Sequence, residues 1–129
     1  PHPGEMARLM GTTTAQVQHH RYEVARQFAA DFKVTLVLKG ANTLIASPDG
    51  RVLVNRTGNP GMAKGGSGDV LAGMLGSFLA QGTALPEAAY SSVYLHGLAG
   101  DRCASRLSQT AMTPTDMINE LPSLFLQYE

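Results

Sequence analysis

One cysteine, no tryptophan and no excess of either charge are what this sequence leaves out, and each omission closes off a class of function. Cys103 is the sole cysteine, so an internal disulfide is excluded and a reducing cytoplasm is the fitting compartment. The 10 basic and 10 acidic side chains cancel to a net charge of +0, which removes the electrostatic case for a nucleic-acid partner. Aromatic residues make up only 6%, too few for a platform on which bases stack. No apolar run approaches the length of a membrane span, and no signal-like apolar segment opens the chain. A soluble protein that binds neither nucleic acid nor membrane is the expectation. Its 129 residues make one domain at most, with room for a core but short for a complete α/β enzyme.

What is present is concentrated between Gly58 and Gly76. Gly58-Asn59-Pro60-Gly61-Met62-Ala63-Lys64-Gly65-Gly66-Ser67-Gly68-Asp69 is too rich in Gly and Pro for helix or strand. From Ser67 or Asp69 onward, Val70, Leu71, Met74, Leu75, Phe78 and Leu79 recur at helical spacing. A loop almost free of side chains thus runs into a helix N-terminus, where free N–H groups and the positive end of the helix dipole favour an anion, most often a phosphate. Asp69 sharpens this. A carboxylate repels a phosphate, so a loop that only held one would not want it, whereas a site that also takes a proton would. The bland alternative is that Asp69 caps the helix.

The two common phosphate fingerprints do not fit. A P-loop needs Lys-Ser or Lys-Thr after its last Gly, but Lys64 is followed by Gly65 and Gly66. The dinucleotide pattern started at Gly66 and Gly68 meets Leu71 at its third position. Lys64 either approaches a phosphate as a point charge or points into solvent. No His, Cys or carboxylate cluster has metal-ligand spacing, since the adjacent His19 and His20 point in different directions on a helix.

Elsewhere the chain reads as an α/β succession. His2 to Met10 is a short helix or turn closed by Gly11, and Thr12, Thr13 and Thr14 offer caps for a long helix through Phe32. Val17, Val24, Phe28 and Ala29 form its buried stripe. Val34 to Leu38 is a continuous apolar run, as in a parallel strand buried on both faces. Thr43–Ala46 and Arg51–Val54 flank Ser47-Pro48-Asp49-Gly50 and form a hairpin. A helix to Gln81 follows the Gly-rich loop, then a longer one from Pro86 to about Leu107. Thr113, Pro114 and Asp116 open the last helix. On the long helix His96 and Asp101 do not face each other; His96 reads as a core or helix–helix histidine. Gly97 and Gly100 suggest close packing or approach to a ligand. Asn59 and Pro60 fix the loop's conformation.

Gly65-Gly66-Ser67-Gly68-Asp69 resembles the anion-hole motif of the ribokinase-like superfamily. The whole Gly58–Asp69 stretch and three more segments resemble hallmarks of the NAD(P)H-hydrate dehydratases within it: Pro1-His2-Pro3-Gly4-Glu5-Met6-Ala7-Arg8-Leu9, Val37-Leu38-Lys39-Gly40-Ala41-Asn42-Thr43, and Tyr94-Leu95-His96-Gly97-Leu98-Ala99-Gly100-Asp101. Four segments in family order, spread over essentially the whole chain, are far more specific than one glycine motif.

The resemblance implies an α/β, ribokinase-like layered sandwich, here its C-terminal, nucleotide-binding half, with a mostly parallel sheet plus a β-hairpin flanked by helices. The family's dehydratase domain is roughly twice this length, so residues 1–129 read as a single partial domain. It further implies dehydration of (6S)-NAD(P)H hydrate to NAD(P)H, with ADP, or ATP, as phosphoryl donor. Mg²⁺ would be held mainly by the phosphates. Asp69 would be the catalytic base. Gly65, Gly66, Ser67 and Gly68 would form the anion hole, and Lys39, Gly40, Ala41, Asn42 and Thr43 would border the nucleotide. His2 and Glu5, one helical turn apart, would join Asp69 in binding substrate. A homo-oligomer built on two-fold contacts is expected. Two alternatives stand beside this reading: a sugar or hydroxymethylpyrimidine kinase of the same superfamily, and a fragment that binds nucleotide without chemistry.

Overall fold

Capping chemistry sets most of the element boundaries. The computed structural model describes residues 1–129 and divides into two compact units, Pro1–Asn55 and Arg56–Glu129. In the first, α1 (Pro3–Met10) starts at a capping box: the His2 ring accepts from the Gly4 and Glu5 amides, and the Glu5 carboxylate accepts the His2 N–H. Gly11 ends it at φ 66°, a left-handed value that glycine adopts at no steric cost.

The helix expected through Phe32 is two helices, α2 (Thr14–His19) and α3 (Arg21–Phe32). The Thr13 hydroxyl caps α2, and His20 breaks the run at φ −124°, ψ 37°. After the break, Arg21, the first residue of α3, donates to two carbonyls of the loop that follows β1, those of Ala41 and Asn42, and to the carbonyl of Leu38 at the strand's end.

Strands β1 (Leu36–Leu38), β2 (Leu44–Ala46) and β3 (Val52–Val54) form one sheet in the order β1-β2-β3. Both pairings are antiparallel, with Val37 opposite Ile45 and Ile45 opposite Leu53. The expected mostly parallel sheet is therefore not what these strands form. Only Lys39–Thr43 separates β1 from β2, whereas a parallel crossover needs about a dozen residues or more. The hairpin is as expected: Gly50, at φ 92°, closes the turn, with the Ser47 N–H bonded to the Arg51 carbonyl. Met6, Val17, Ala25, Ala29, Leu38 and Ala46 are buried in this unit's core, with Val24 and Phe28 packed against it.

The second unit is helical. A 3₁₀ turn (Pro60–Met62) precedes α4 (Ser67–Ala80), α5 (Leu85–Ala111) and α6 (Pro114–Tyr128). Within α5 the helical path is interrupted at Ser108 (φ 74°, ψ 158°), so its regular part ends close to the expected Leu107. Helix α6 opens with the Thr113–Asp116 capping box and Pro114 in its first turn. Ala99, Cys103, Met112, Met117 and Leu124 form the core. Each large side chain in it contributes about 1.5–3 kcal/mol of burial. Burial pushes the Cys103 thiol upward from its ordinary pKa, which keeps it protonated and inert. No helix of the chain is long and apolar enough to cross a membrane.

Candidate functional site

The Gly-rich loop owes its shape to α5. Three groups of that helix hold the loop by main-chain and side-chain atoms. The Asp101 carboxylate accepts from the Gly58 N–H at 3.0 Å and from the Asn59 side-chain amide at 3.0 Å. The Tyr94 carbonyl accepts from the Thr57 hydroxyl at 3.0 Å. The buried His96 ring places Nε2 2.9 Å from the Ser67 carbonyl. Gly97 and Gly100 make this approach possible: a Cβ on Gly97 would lie 1.9 Å from Thr57 Oγ1, and one on Gly100 2.3 Å from Met62 Sδ. The two glycines therefore serve close packing of the loop. Asn59 also accepts the Gly61 N–H at 2.9 Å, which is the conformational role expected of it.

At the end of the loop Gly66 takes φ 100°, ψ −20° and is the N-cap of α4, with no side chain capping the helix. The N–H of Ser67 bonds to the Lys64 carbonyl at 3.2 Å. Those of Gly65, Gly66, Gly68 and Asp69 have no acceptor within the chain. Ser67 is buried, and its hydroxyl has no hydrogen-bond partner, so it anchors the loop instead of presenting the hydroxyl at its surface. Asp69 is exposed in the first turn of α4, and its carboxylate makes no hydrogen bond or ion pair. It does not cap the helix, so the bland alternative falls away. A carboxylate beside several unsatisfied N–H groups on a helix N-terminus can both accept a proton and adjoin a bound anion.

Asp69 and Gly66 lie at one end of a cleft of about 790 Å³, whose walls include Val70, Met74 and Phe78 of α4 and Ile118 and Phe125 of α6. That volume is within the range of small-molecule sites, which are apolar with a few convergent polar groups. Lys64 does neither of the two things expected of it. Its ammonium donates to the carbonyls of Gln109 (3.1 Å), Thr110 (2.9 Å) and Met112.

The remaining candidates lie in the first unit. Lys39 ends β1, and its N–H bonds to the Pro1 carbonyl at 2.8 Å. Gly40 and Thr43 close a small turn, in which the Thr43 hydroxyl donates to the Gly40 carbonyl at 3.0 Å and accepts the Gly40 N–H at 3.3 Å. Asn42 sits at φ 57°. Arg21 holds this loop from behind, donating to Ala41 (2.7 Å), Leu38 (3.3 Å) and Asn42 (3.4 Å) carbonyls. Burial pulls the guanidinium below its ordinary pKa.

His2 and Glu5 are brought together as the α1 capping box, with His2 Nε2 3.4 Å from Glu5 Oε1. Lys39 Nζ lies 4.0 Å from Glu5 Oε2. The Glu5 carboxyl is held below the usual carboxylate range, chiefly by the His2 backbone N–H. Arg21 and Asp101 were not among the sequence candidates. Their partners are main-chain groups far along the chain, which residue type does not announce. For Asp101 the available signals were its place at the end of the Tyr94–Asp101 segment and an acid beside Gly97 and Gly100 on one helix. No group of three or more His, Cys, Asp or Glu side chains is placed to hold a metal ion.

Comparison with known proteins bears on all these residues at once. A family model described as NAD(P)H-hydrate dehydratase matches residues 1–123. The bifunctional NAD(P)H-hydrate repair enzyme of Moorella thermoacetica is 50% identical over 129 residues, which are 100% of this chain and 24% of that protein. The crystal structure of the ADP/ATP-dependent NAD(P)H-hydrate dehydratase of Bacillus subtilis, co-crystallised with ATP/Mg²⁺ and soaked with CoA, superposes with a TM-score of 0.95 at 36% identity. The match covers 100% of this chain and 48% of that one. A ribokinase-like superfamily protein from Enterococcus faecalis gives 0.85 at 35% identity, covering 99% of this chain and 43% of its own. The fold is ribokinase-like, and the chain spans less than half the length of each of these relatives.

Proposed function

Because this chain belongs to the NAD(P)H-hydrate dehydratase family, we propose that it carries the nucleotide-binding part of an enzyme that removes water from (6S)-NAD(P)H hydrate. The reaction is driven by a phosphoanhydride of ADP, with ATP as the alternative donor. The observation that carries this is the unpaired Asp69 carboxylate beside four N–H groups without acceptors, with Gly66 and Asp69 lining the α4–α6 cleft. In this reading the N–H groups of Gly65, Gly66, Gly68 and Asp69 stabilise charge on the transferring phosphoryl group. Asp69 takes the proton of the hydrate's ring hydroxyl, whose oxygen then bonds to the phosphorus as the phosphoanhydride breaks. The carbon–oxygen bond of the new phosphate ester then breaks, inorganic phosphate leaves and the adjacent ring carbon gives up a proton, which restores the dihydronicotinamide double bond.

Lys39 to Thr43 would border the nucleotide, on a loop that Arg21 has already ordered. His2 and Glu5 would contribute to substrate binding, with orientations that their shared cap fixes. The unpaired donors fit phosphate. The chain offers no cage of three acidic or imidazole ligands, so Mg²⁺ would be carried on the phosphate oxygens, where it would neutralise their charge. Unpaired outer edges on β1 and β3, together with exposed Leu9 and Leu126, support assembly into a homo-oligomer.

The test is recovery of reduced-nicotinamide absorbance from the hydrate with ADP or ATP, measured alongside nucleotide binding, for the wild type and Asp69→Asn. The amide keeps the shape but cannot take a proton. Turnover should fall by ~10²–10⁴ with nucleotide affinity within a few-fold. A variant that kept more than half its rate would remove Asp69 as base. A stable phosphorylated product would select the kinase reading. Binding without turnover would select a binding module.

A further inference from the structure

Lys64 occupies an unusual position for a loop lysine. Its carbonyl accepts the Ser67 N–H at 3.2 Å, so its backbone is tied to the first residue of α4. Its side chain is tied to the junction of α5 and α6, where the ammonium donates to Gln109, Thr110 and Met112 carbonyls. An ammonium has three donors and no acceptor. All three are used, so none is left for a phosphate. The carbonyls converge because α5 breaks at Ser108 and Met112 is extended at φ −60°, ψ 144°. The same junction meets the loop a second time, since a Cβ on Gly66 would lie 3.3 Å from Pro114 Cγ.

We infer that Lys64 is the positioning residue of the anion loop, holding Gly65–Asp69 against the α5–α6 junction so that its free N–H groups converge before any ligand arrives. The inference rests on the reading of that loop as a phosphate site, and it acts through geometry, without contact to the nucleotide. Preorganised donors bind charge without a cost of ordering at the moment of binding.

The test compares wild type with Lys64→Met, which keeps an unbranched side chain one atom shorter and removes its donors. Calorimetry with ADP and with adenosine separates the phosphate end of the ligand from the rest. ADP should weaken at least tenfold while adenosine stays within twofold. Equal losses for both would make Lys64 a general structural residue and overturn the inference, as would no loss for either. A second arm needs no nucleotide: the backbone amides of Gly65 to Asp69 are followed by NMR in the free proteins. A single ordered set in the wild type should become heterogeneous or mobile in Lys64→Met, and unchanged amides would overturn the positioning role. If the wild type binds no ADP, the functional reading fails, and Lys64 is judged by the amides alone. Should Lys64→Met fail to fold, Lys64→Gln, which retains two donors without the charge, enters the same measurements under the same criteria.

Discussion

Gly97→Ala is the substitution on which the packing argument can be tested most severely, because helix propensity and packing pull in opposite directions. In an α-helix, Ala is favoured over Gly by about 1 kcal/mol. At Gly97 the new Cβ would stand 1.9 Å from Thr57 Oγ1, 2.6 Å from Thr57 Cβ and 2.7 Å from the Thr57 carbonyl carbon. Rotation can move the hydroxyl, but the backbone carbon cannot leave without dragging Gly58 off Asp101. Overpacking of this kind costs about 1–3 kcal/mol, and loss of the Thr57–Tyr94 hydrogen bond adds about 1 kcal/mol. Packing wins, for a net loss of about 1–3 kcal/mol.

Gly76 supplies the control. It is also mid-helix, yet a Cβ there meets nothing within 4 Å, so Gly76→Ala should stabilise by about 0.5–1 kcal/mol. At about 4 °C per kcal/mol, thermal unfolding should place Gly97→Ala roughly 4–12 °C below the wild type and Gly76→Ala about 2–4 °C above it. Urea midpoints should move in the same directions. A Gly97→Ala protein as stable as the wild type would show that α5 does not hold the loop as described.

Two further tests address the helix starts. Gly66→Val places a β-branched residue at φ 100°, with its Cβ 3.3 Å from Pro114 Cγ; strain of about 1–3 kcal/mol should distort the loop and sharply weaken ADP binding in titration calorimetry, and unchanged affinity would refute the anion-loop assignment. The Asp116 carboxyl is held below its ordinary value of 3.8, first by the Thr113 hydroxyl and then by the Thr113 N–H. Because the folded value is the depressed one, the α6 cap contributes fully above the unfolded value and is lost only as pH falls through the folded one; a ¹³C titration of Asp116 should therefore show a midpoint below 3.8, and one at or above it would remove the capping box.

Sequence reasoning reached furthest where structure is local. The caps at Thr13 and Thr113, the Ser47–Gly50 turn and the start of α4 depend on neighbours within a few residues, and those neighbours are visible in the chain; the His2 cap was not read, because an imidazole is an uncommon helix cap. It stopped where partners are distant. An apolar run such as Val34–Leu38 shows that a strand is buried but not which way its neighbour runs, and the short Lys39–Thr43 link decided that. Periodicity carried straight through His20, because a break between two helices changes no residue type. The long side chain of Lys64 was legible but its target was not, since main-chain carbonyls exist everywhere. That the Gly-rich stretch ending at Asp69 runs into a helix start was readable, because the apolar spacing from Val70 onward is helical and the glycines before it are not.

The loop's dependence on α5 also fixes that helix's phase. Each residue turns an α-helix by about 100° and advances it by about 1.5 Å. Tyr94, Gly97 and Asp101 face the start of the loop from one side of α5, and the carbonyls beyond Ser108 meet Lys64 further along. Insertion or deletion of a single residue between Gly97 and Asp101 would swing everything after it by more than a quarter turn. Thr57 could then keep its place on Gly97 only if Gly58 lost Asp101 and Lys64 lost its carbonyls. Helix α5 is in this sense a ruler read at several marks. Its length between those marks is as constrained as the glycines it measures out, including the stretch from Arg102 to Leu107, which belongs to none of the segments that carry the resemblance.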